Sequence, residues 1–373
     1  MDRFDIVIIG GGIAGASLGA ELVGTGMGDR SILLIEAEEH PAMHSTGRSA
    51  AFWLESYGGP QVALLSKASL GFLDSPPTLF SEAGFLRPRG AIHVDASGRS
   101  DAFVHIPESV ETRLMTRAEL DRAVPGLSPA FVQALNEPGC ADIDVAALHA
   151  AYLRQFRRGG GVVRIGSRLV CATRGGDGWI IDLERGGQVG ATCLVNAAGA
   201  WADAVARTSG IAPIGIAPKR RTMVQLKVGR SGISRLPQVL DAAGSFYFKG
   251  ETDQSVWVSP HDEIATDPCD AQPEEIDIAV AIDRFERAVD WPVERVERSW
   301  AGLRSFAPDR LPVFGFNDPG RDFFWFAGQG GFGIQTAPAA ARLAAALLLG
   351  TNPDSMVVGI DPAPYDPKRF AGR

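Results

Sequence analysis

The sequence predicts an α/β (α+β) fold in which the segments of two domains are interleaved. Its 373 residues are about 2.5 times a typical domain length, which favours two domains. A strand, a glycine-rich turn and a helix open the chain, and a second such unit lies at 322–334. Strand-like segments at 220–228, 245–249 and 255–258 lie between them, which predicts an inserted antiparallel sheet.

Composition and charge exclude several kinds of protein. The chain is 45% hydrophobic and 21% charged, as expected of an ordinary globular protein and not of a disordered one. It has 36 basic and 44 acidic residues, a net charge of −8, and no Lys/Arg-rich run, so nucleic acid is not an expected partner. The longest apolar run, at 337–349, is shorter than the roughly 20 residues of a membrane span, so we expect no transmembrane segment.

The cysteines indicate a reducing compartment and no metal site. They stand at Cys140, Cys171, Cys193 and Cys269, form no C-x-x-C pair and have no His at metal-ligand spacing. Reduced thiols, together with an N-terminal apolar stretch too short for a signal peptide, predict a cytoplasmic location.

The first fifty residues have the order of a Rossmann-like dinucleotide-binding unit. A buried strand at 4–9 runs into a G-x-G-x-x-G turn at 10–15, and residues 16–22 have helical composition. A second strand at 31–35 ends at Glu36, where such folds carry the acid that binds a ribose hydroxyl. An acid at this point favours an adenosine without a 2′-phosphate.

Each part of the turn has a physical role. Gly10 permits the tight turn, Gly12 lets the backbone approach a pyrophosphate, and Gly15 lets the helix pack closely on the strand. The N–H groups at the start of the helix, at Ile13 and Ala14, face the phosphates with the positive end of the helix dipole.

The polar loop at 44–51 favours FAD over a nicotinamide cofactor. Its hydroxyls, its N–H groups and Arg48 can hold a second face of the pyrophosphate of an extended FAD. The small residues that close the loop predict the start of a helix. The candidate cofactor contacts in the loop are His44, Ser45, Thr46, Arg48, Ser49 and Ala50.

A second G-x-G-x-x-G follows a strand at 322–327, and the sequence is helical from Ile334 onward. No further strand ending in an acid follows, so a second dinucleotide site, and with it NAD(P)H as reductant, is not predicted. We interpret the turn at 328–333 as a helix N-terminus whose dipole stabilises negative charge on the pyrimidine ring of a reduced flavin.

Eight ordered stretches across the chain resemble the D-amino-acid oxidase/glycine oxidase superfamily of FAD enzymes, and within it the bacterial D-arginine dehydrogenases and similar D-amino-acid dehydrogenases. They are GGGIAGAS (10–17), HSTGRSAA (44–51), ADIDVAALH (141–149), LVNAAGAW (194–201), PKRR (218–221), SFYFK (245–249), WAGLRSF (300–306) and GQGGFGIQT (328–336).

The resemblance implies two discontinuous domains. The FAD-binding domain is expected to contain residues 1–56, 141–212 and 300–373, and the substrate-binding domain residues 57–140 and 213–299. Further FAD contacts are expected at Val170, Ala198, Gly199, Trp201, Gly302, Arg304, Gly330, Gly331, Phe332, Gly333, Ile334, Gln335 and Thr336.

The resemblance also implies the chemistry: oxidation of a D-amino acid by hydride transfer from Cα to flavin N5, and conversion of the imino acid by water to the 2-oxo acid. Arg304 matches the carboxylate-binding arginine. Arg220 matches a second one, but Arg221 is adjacent and a one-residue slip would exchange them. Tyr57 and Tyr247 match active-site tyrosines.

Two departures concern the substrate pocket, to which Gly331 is also assigned. The glutamate that pairs with a guanidinium in D-arginine dehydrogenase is Ala91 here, and the active-site histidine is Phe52. An unpaired guanidinium in a closed pocket costs several kcal/mol. We therefore expect uncharged, apolar D-amino acids to be preferred over D-Arg, and the substrate amine to lose its proton to solvent or another group.

The resemblance also bears on how FAD is bound and on which other functions are possible. No cysteine lies beyond Cys269, so FAD is expected to be non-covalent. Electrons would leave to a quinone, a dye or oxygen; the oligomeric state stays open. The alternatives are an oxidase of glycine, sarcosine or another N-methyl or cyclic amino acid, a 2-hydroxy-acid dehydrogenase, and a flavin-binding partner subunit without catalysis.

Overall fold

The structure, a computed structural model, describes residues 1–24, 30–317 and 320–371, so parts of the first and third expected FAD-domain segments lie outside it. The helices of these ranges are α1 Ile13–Gly24, α2 Pro60–Asp74, α3 Arg117–Ala123, α4 Val145–Arg158, α5 Ala202–Thr208, α6 Glu275–Ala288 and α7 Ala337–Leu349. The strands are β1 Asp2–Ile9, β2 Ile32–Ile35, β3 Phe52–Trp53, β4 Leu86–Pro88, β5 Ala91–Asp95, β6 Arg113–Met115, β7 Gln133–Glu137, β8 Ala141–Ile143, β9 Val162–Arg164, β10 Leu169–Gly175, β11 Gly178–Leu183, β12 Gln188–Asn196, β13 Ala217–Val228, β14 Gln238–Asp241, β15 Tyr247–Gly250, β16 Ser255–Ser259, β17 Ile264–Ala265, β18 Val293–Phe306, β19 Val313–Phe316 and β20 Phe323–Ala327.

One sheet of eight strands forms the nucleotide-binding part of the fold. Its strand order is β10-β11-β12-β1-β2-β9, with β20 paired to β12 and β19 paired to β20. The pairs β20–β12, β12–β1, β1–β2 and β2–β9 are parallel. Because parallel strands are buried on both faces, they are nearly continuous apolar runs, as in Ile6–Ile9 and Ile32–Ile35.

Helices cover this sheet and bury its apolar faces. On one face, α1, α4 and α7 pack with α2 around a core that includes Ile8, Tyr152 and Phe324. On the other face, α5 packs on β10 and β12 beside a second core that includes Trp179 and Trp325. The α/β class and the Rossmann-like arrangement expected from the sequence are therefore confirmed.

The second sheet has nine strands and carries the predicted antiparallel segments. Its order is β17-β13-β16-β15-β14-β5-β7-β6, and β18 pairs with β13. The segments predicted at 220–228, 245–249 and 255–258 are strands β13, β15 and β16, and they pair antiparallel as expected. Helix α6 packs on β13 and β16 and closes one side of this sheet.

Two elements of the structure do not follow the expected domain boundaries. Helix α2, in the expected substrate segment 57–140, packs on α7 and belongs to the core that also contains Ile8 of β1. Strand β18 runs through residue 300 without a break and stays paired with β13 from Val293 to Phe306. The domain division itself stays a prediction.

Two local predictions were wrong. The loop at 44–51 does not lead into a helix; instead, Phe52 and Trp53 form β3, which pairs with β8 in a small sheet completed by β4. The C-terminal helix begins at Ala337 and not at Ile334, because Pro338 sits in the first turn and residues 331–336 form hydrogen-bonded turns. In the described ranges, no helix combines the length and apolar character that a membrane crossing requires.

The contact between α1 and β1 predicts opposite outcomes for two Gly→Ala substitutions. A Cβ at Gly15 would lie 1.9 Å from the carbonyl oxygen of Gly10, whereas a Cβ at Gly71, inside α2, would have nothing within 4 Å. Gly15→Ala should lower the free energy of unfolding and weaken FAD retention. Gly71→Ala should raise stability by about 0.5–1 kcal/mol through helix propensity. Urea unfolding measures both, and equal effects would contradict the packing described.

Candidate functional site

A cavity of about 350 Å³ opens at the carboxyl ends of the parallel strands. Strand β1 ends in the turn at Gly10, β2 ends at Glu36, β12 leads into residues 197–201, and β20 leads into residues 328–331. In open parallel sheets, ligands bind at this edge, where loops diverge from neighbouring strands. The cavity continues to the face of the second sheet, where Arg304 and Tyr247 line it.

The nucleotide end of the cavity has the parts that the sequence predicts. Glu36 accepts hydrogen bonds from the N–H of Gly11 at 2.8 Å and of Glu38 at 2.9 Å, which fixes the carboxylate at the end of β2. The hydroxyl of Thr46 accepts from the N–H of Ile13 at 3.0 Å. Gly10 has φ +111°, and a Cβ there would lie 2.5 Å from the carbonyl oxygen of Ala197.

These residues fit an FAD molecule. Glu36 offers acceptor oxygens to ribose hydroxyls, and the start of α1 offers N–H groups to phosphates. Gly199 leaves open space where a side chain would stand, so the segment after β12 leaves room for a bulky ring system. At the far end, Gly330 donates its N–H to the carbonyl of Ser305 at 2.8 Å, which ties the second glycine turn to β18.

Arg48 lines the cavity, but its guanidinium is bound to other groups of the protein. Its Nη1 donates to the carbonyl oxygens of Ala271 at 2.8 Å and Ala301 at 3.1 Å, and its Nη2 pairs with Asp270. The guanidinium thus links the polar loop to the second sheet, and a phosphate contact by Arg48 stays a prediction. His44 contacts Glu38 through Nε2 at 3.0 Å and packs on the ring of Trp201, and both rings line the cavity.

At the other end, two arginines face the cavity. Arg304 donates from Nη1 to the phenol oxygen of Tyr57 at 2.6 Å. Arg221 donates from Nε to the carbonyl of Asp262 at 2.7 Å and pairs through Nη2 with Glu263 at 3.4 Å. Its buried Nη1 has no hydrogen-bond partner among the described residues. Both guanidiniums belong to residues that line the cavity.

Arg220, the residue matched to the second arginine, points to the opposite face of β13. It pairs with Asp277 of α6 at 2.8 Å and with Glu274. Side chains alternate between the two faces of a strand, so adjacent arginines cannot both reach the cavity. The structure thus corrects the assignment: Arg221 lines the cavity and Arg220 anchors α6.

Burial and like charge shape the titration of these groups. Burial, and next the charge of Arg304, lower the pKa of Arg221. For Arg304, burial lowers the pKa, but Tyr57 and Tyr247 outweigh it and raise the pKa overall. The pKa of Tyr57 is lowered, because the two arginines outweigh the effect of burial. Burial, reinforced by Arg221, lowers the pKa of His261 to about 3, so this imidazole is neutral at pH 7.

Aromatic and apolar side chains surround the arginine end. The ring of Phe52 lies 6.0 Å from that of Tyr57 and 5.9 Å from that of Tyr247, centroid to centroid. Ala91 is fully buried, packed with Leu54 and Cys140 in a cluster that Phe52 and Tyr57 also contact. A Cβ at Gly331 would lie 2.9 Å from the Tyr57 oxygen and from Arg304 Nη1, so only glycine leaves room there.

The structure brings most of the expected site residues to this cavity. Those that line it are Gly10, Gly12, Ile13, Ala14, Glu36, His44, Ser45, Thr46, Arg48, Ser49, Ala50, Ala198, Gly199, Trp201, Tyr247, Gly302, Arg304, Gly330, Gly331, Gly333 and Ile334.

Other expected contacts have different surroundings. Val170 is 52% exposed, and its neighbour Leu169 lines the cavity instead. Gln335 is buried, with its amide bound to the backbone of Leu54, and the hydroxyl of Thr336 is bound to the carbonyl of Phe332. The remaining expected site residues do not line the cavity themselves; they are Gly15, Phe52, Tyr57, Ala91 and Phe332.

Sequence reasoning missed several lining residues. Ser167 and Arg168 reach the nucleotide end from the loop before β10, whose Ser167 N–H donates to the carbonyl of Glu36 at 2.9 Å. Met223 lines the opposite end and accepts a hydrogen bond from Tyr247 at 3.1 Å. Only the alternation of β13, which puts Met223 on the same face as Arg221, is a signal that the sequence contains.

Comparisons with known proteins agree with this geometry. A family profile described as FAD dependent oxidoreductase matches residues 5–347. The glycine oxidase of Pseudomonas aeruginosa is 27% identical over 399 aligned positions that cover 99% of each chain. The mitochondrial dimethylglycine dehydrogenase of Rattus norvegicus is 24% identical over 98% of this chain and 45% of its own length, so this chain spans about half of that relative.

Among solved structures, the L-proline dehydrogenase from P. horikoshii shares the fold. It superposes with a TM-score of 0.83 at 21% identity, covering 99% of this chain and 98% of that one. The profile match over most of the chain and the cavity at the strand ends together lead to one conclusion: the chain belongs to the FAD dependent oxidoreductase family.

Proposed function

We propose that this protein catalyses the FAD-dependent oxidation of an uncharged, apolar D-amino acid at its Cα–N bond, giving an imino acid that water converts to the 2-oxo acid. The observation that carries the proposal is the pair of guanidiniums, Arg221 and Arg304, at one end of a cavity whose other end has nucleotide-binding geometry. The similarity to glycine oxidase and dimethylglycine dehydrogenase supports an amino-acid substrate.

The arginines form the carboxylate-binding end of the proposed site. Arg221 lies 3.4 Å from Glu263 and 3.8 Å from Asp262, but its buried Nη1 has no hydrogen-bond partner among the described residues, and a buried donor without an acceptor is costly. A substrate carboxylate between Arg221 and Arg304 supplies that acceptor, and a guanidinium binds a carboxylate through two parallel hydrogen bonds. The phenol of Tyr57, already bonded to Arg304, keeps that guanidinium in one orientation.

The apolar surroundings set the preference for the substrate side chain. Tyr247 lines the cavity and the rings of Phe52 and Tyr57 pack beside it, while the buried Ala91 behind them offers no counter-charge for a cation. Glu137, paired with Ala91 across β5 and β7, has both oxygens engaged by Ser56 and His93. A substrate guanidinium would therefore enter this pocket without a free carboxylate.

The residues of the chain position the substrate and leave the redox chemistry to the cofactor. When bound, FAD supplies the acceptor for the hydride from Cα. Arg304 and Arg221 fix the carboxylate, and the aromatic side chains exclude water from the carbon to be oxidised. Because Phe52 carries no proton acceptor, the amine loses its proton to solvent or another group before oxidation.

A second candidate is oxidation of glycine or an N-methylated glycine. The alignment with the glycine oxidase of Pseudomonas aeruginosa covers 99% of both chains, and dimethylglycine dehydrogenase aligns with 98% of this chain. The arginine pair would hold the carboxylate of either substrate class in the same way. Anaerobic bleaching of the flavin by D-, L- and N-methyl amino acids distinguishes the two.

The pocket predicts a strong preference among D-amino acids. We expect kcat/KM for D-Leu, D-Met or D-Phe to exceed that for D-Arg by about 100-fold or more, because burying an unpaired guanidinium costs several kcal/mol. Ala91→Glu should raise kcat/KM for D-Arg about tenfold while lowering it for D-Leu. A value for D-Arg equal to or above those of the apolar substrates would contradict the proposal.

The adjacent arginines of β13 provide a matched pair of variants. Arg221→Lys should raise KM for the amino acid by about tenfold or more, since lysine cannot make the paired hydrogen bonds of a guanidinium. Arg220→Lys keeps its charge beside Asp277 and should change KM by less than about threefold. Steady-state kinetics with a dye acceptor measures both, and the reverse order would reject Arg221 as a carboxylate ligand.

We further predict that FAD is held without a covalent bond. Cys140 and Cys193 are buried away from the cavity, and Cys269 adjoins a small recess beside His44 and Trp201. Acid precipitation should release the yellow colour into the supernatant from both the parent protein and Cys269→Ser. Colour that stays with the parent pellet would show a covalent link, and its loss in Cys269→Ser would identify the linked residue.

A further inference from the structure

The segment Leu54–Tyr57 is held from two sides by buried side chains. From the turn before α7, the Gln335 amide accepts from the N–H of Leu54 at 3.1 Å and donates to its carbonyl at 3.2 Å. From β7 of the second sheet, Glu137 accepts from the N–H of Ser56 at 3.2 Å and from its hydroxyl at 2.7 Å. Both contacts lie within three residues of Tyr57.

The carboxylate of Glu137 is deeply buried and fully partnered. Its residue is 1% exposed, and the ring nitrogen Nε2 of His93, on β5, lies 2.9 Å from its Oε2. A buried carboxylate is tolerated only when hydrogen bonds replace its hydration, so removing one partner is costly. Such a satisfied polar cluster favours one arrangement of the groups it joins. Glu137 therefore restricts where Ser56 can lie.

Fixing Ser56 also limits the position of Tyr57, which contacts Arg304 at the proposed carboxylate-binding end. The N–H of Tyr57 donates to the carbonyl of Leu54 at 3.1 Å, which closes a turn just after the two held positions. The next residue, Gly58, has φ +103°, and a Cβ there would lie 2.7 Å from Val62 and 2.8 Å from Phe332. With both flanks of the turn constrained, the phenol oxygen of Tyr57 meets Arg304 Nη1 at 2.6 Å.

We propose that Glu137, supported by His93, is a positioning residue that sets the orientation of Arg304 through Ser56 and Tyr57. The proposal rests on the proposed function, since it assigns Arg304 to a carboxylate. Glu137 itself does not line the cavity. Its contribution to ligand affinity should therefore depend on the phenol of Tyr57.

The test measures carboxylate binding to the FAD-loaded protein. Benzoate, a carboxylate on an apolar ring, is titrated while the flavin absorbance is followed. Glu137→Ala should raise the Kd of benzoate about tenfold, the loss of one charged hydrogen bond at Arg304. Glu137→Gln retains an acceptor for Ser56 and should recover most of the affinity. Ser56→Ala, which removes only the hydroxyl contact, should raise the Kd about threefold.

Asp95→Asn is the matched control. Asp95 is a buried carboxylate on the same strand as His93, and it accepts from Ser97 at 2.7 Å, Gly98 at 2.8 Å and Gln133 at 2.9 Å. Its partners lie away from Tyr57, so this substitution should lower the melting temperature but leave the Kd within about twofold of the parent.

A double-mutant cycle with Tyr57→Phe separates positioning from general destabilisation. If Glu137 acts through the phenol, Glu137→Ala should change the Kd by less than about threefold in the Tyr57→Phe background. An equal tenfold change in both backgrounds, or an unchanged Kd in Glu137→Ala, would overturn the positioning role. Should Glu137→Ala fail to fold, Ser56→Ala in the two backgrounds gives the same comparison.

The proposed function and this inference can fail separately. A parent protein that binds benzoate but whose flavin is not reduced by any amino acid contradicts the proposed function alone. A parent protein that binds benzoate with an affinity independent of Glu137 and Ser56 contradicts the positioning role alone. A parent protein that does not bind benzoate contradicts the carboxylate-binding end, and both proposals fail with it.

Discussion

The long antiparallel pairing of β13 with β18 is the constraint on which the site depends. In its register, Arg221 lies opposite Gly302, and Lys219 lies opposite Arg304. Opposed residues of an antiparallel pair share a face, so this register puts both cavity arginines on one side of the sheet. The bridge between Ser305 and Gly330 then joins β18 to the turn after β20. The end of the cavity that holds the two arginines is thereby attached to the nucleotide-binding sheet.

Two like charges at the end of a buried cavity require compensation, and the neighbouring groups supply it. The phenol oxygen of Tyr57 accepts from Arg304, and Arg221 donates to a backbone carbonyl and lies 3.4 Å from Glu263 and 3.8 Å from Asp262. His261 is neutral at pH 7, so it adds no positive charge. Among the described residues, Arg221 Nη1 remains a buried donor without an acceptor. Because aromatic and apolar side chains lie beside this donor, we propose a substrate whose carboxylate is attached to an apolar side chain and not to a cationic one.

Several side chains that the sequence patterns indicated as ligand contacts instead bind other parts of the protein. Arg48 stands in a loop of the right composition, but its guanidinium joins that loop to the segment at 270–271. Gln335 follows a glycine turn, yet it holds the backbone of Leu54. Such partners are distant along the chain, by 223 and 281 residues, and no local pattern contains them. The glycine turn and Glu36 were predictable because their chemistry is local to one βαβ unit.

By itself the sequence determined the α/β class, the nucleotide-binding unit from Gly10 to Glu36, and the place of Arg304, on β18, among the cavity residues. These follow from short-range spacing and from side chains whose backbone roles are specific. Only the tertiary structure decided between Arg220 and Arg221, because a shift of one residue exchanges the faces of a strand and α6 occupies one of them. It alone joined Glu137 to Ser56, 81 residues apart, since β3, which precedes Ser56, pairs with β8, which follows Glu137.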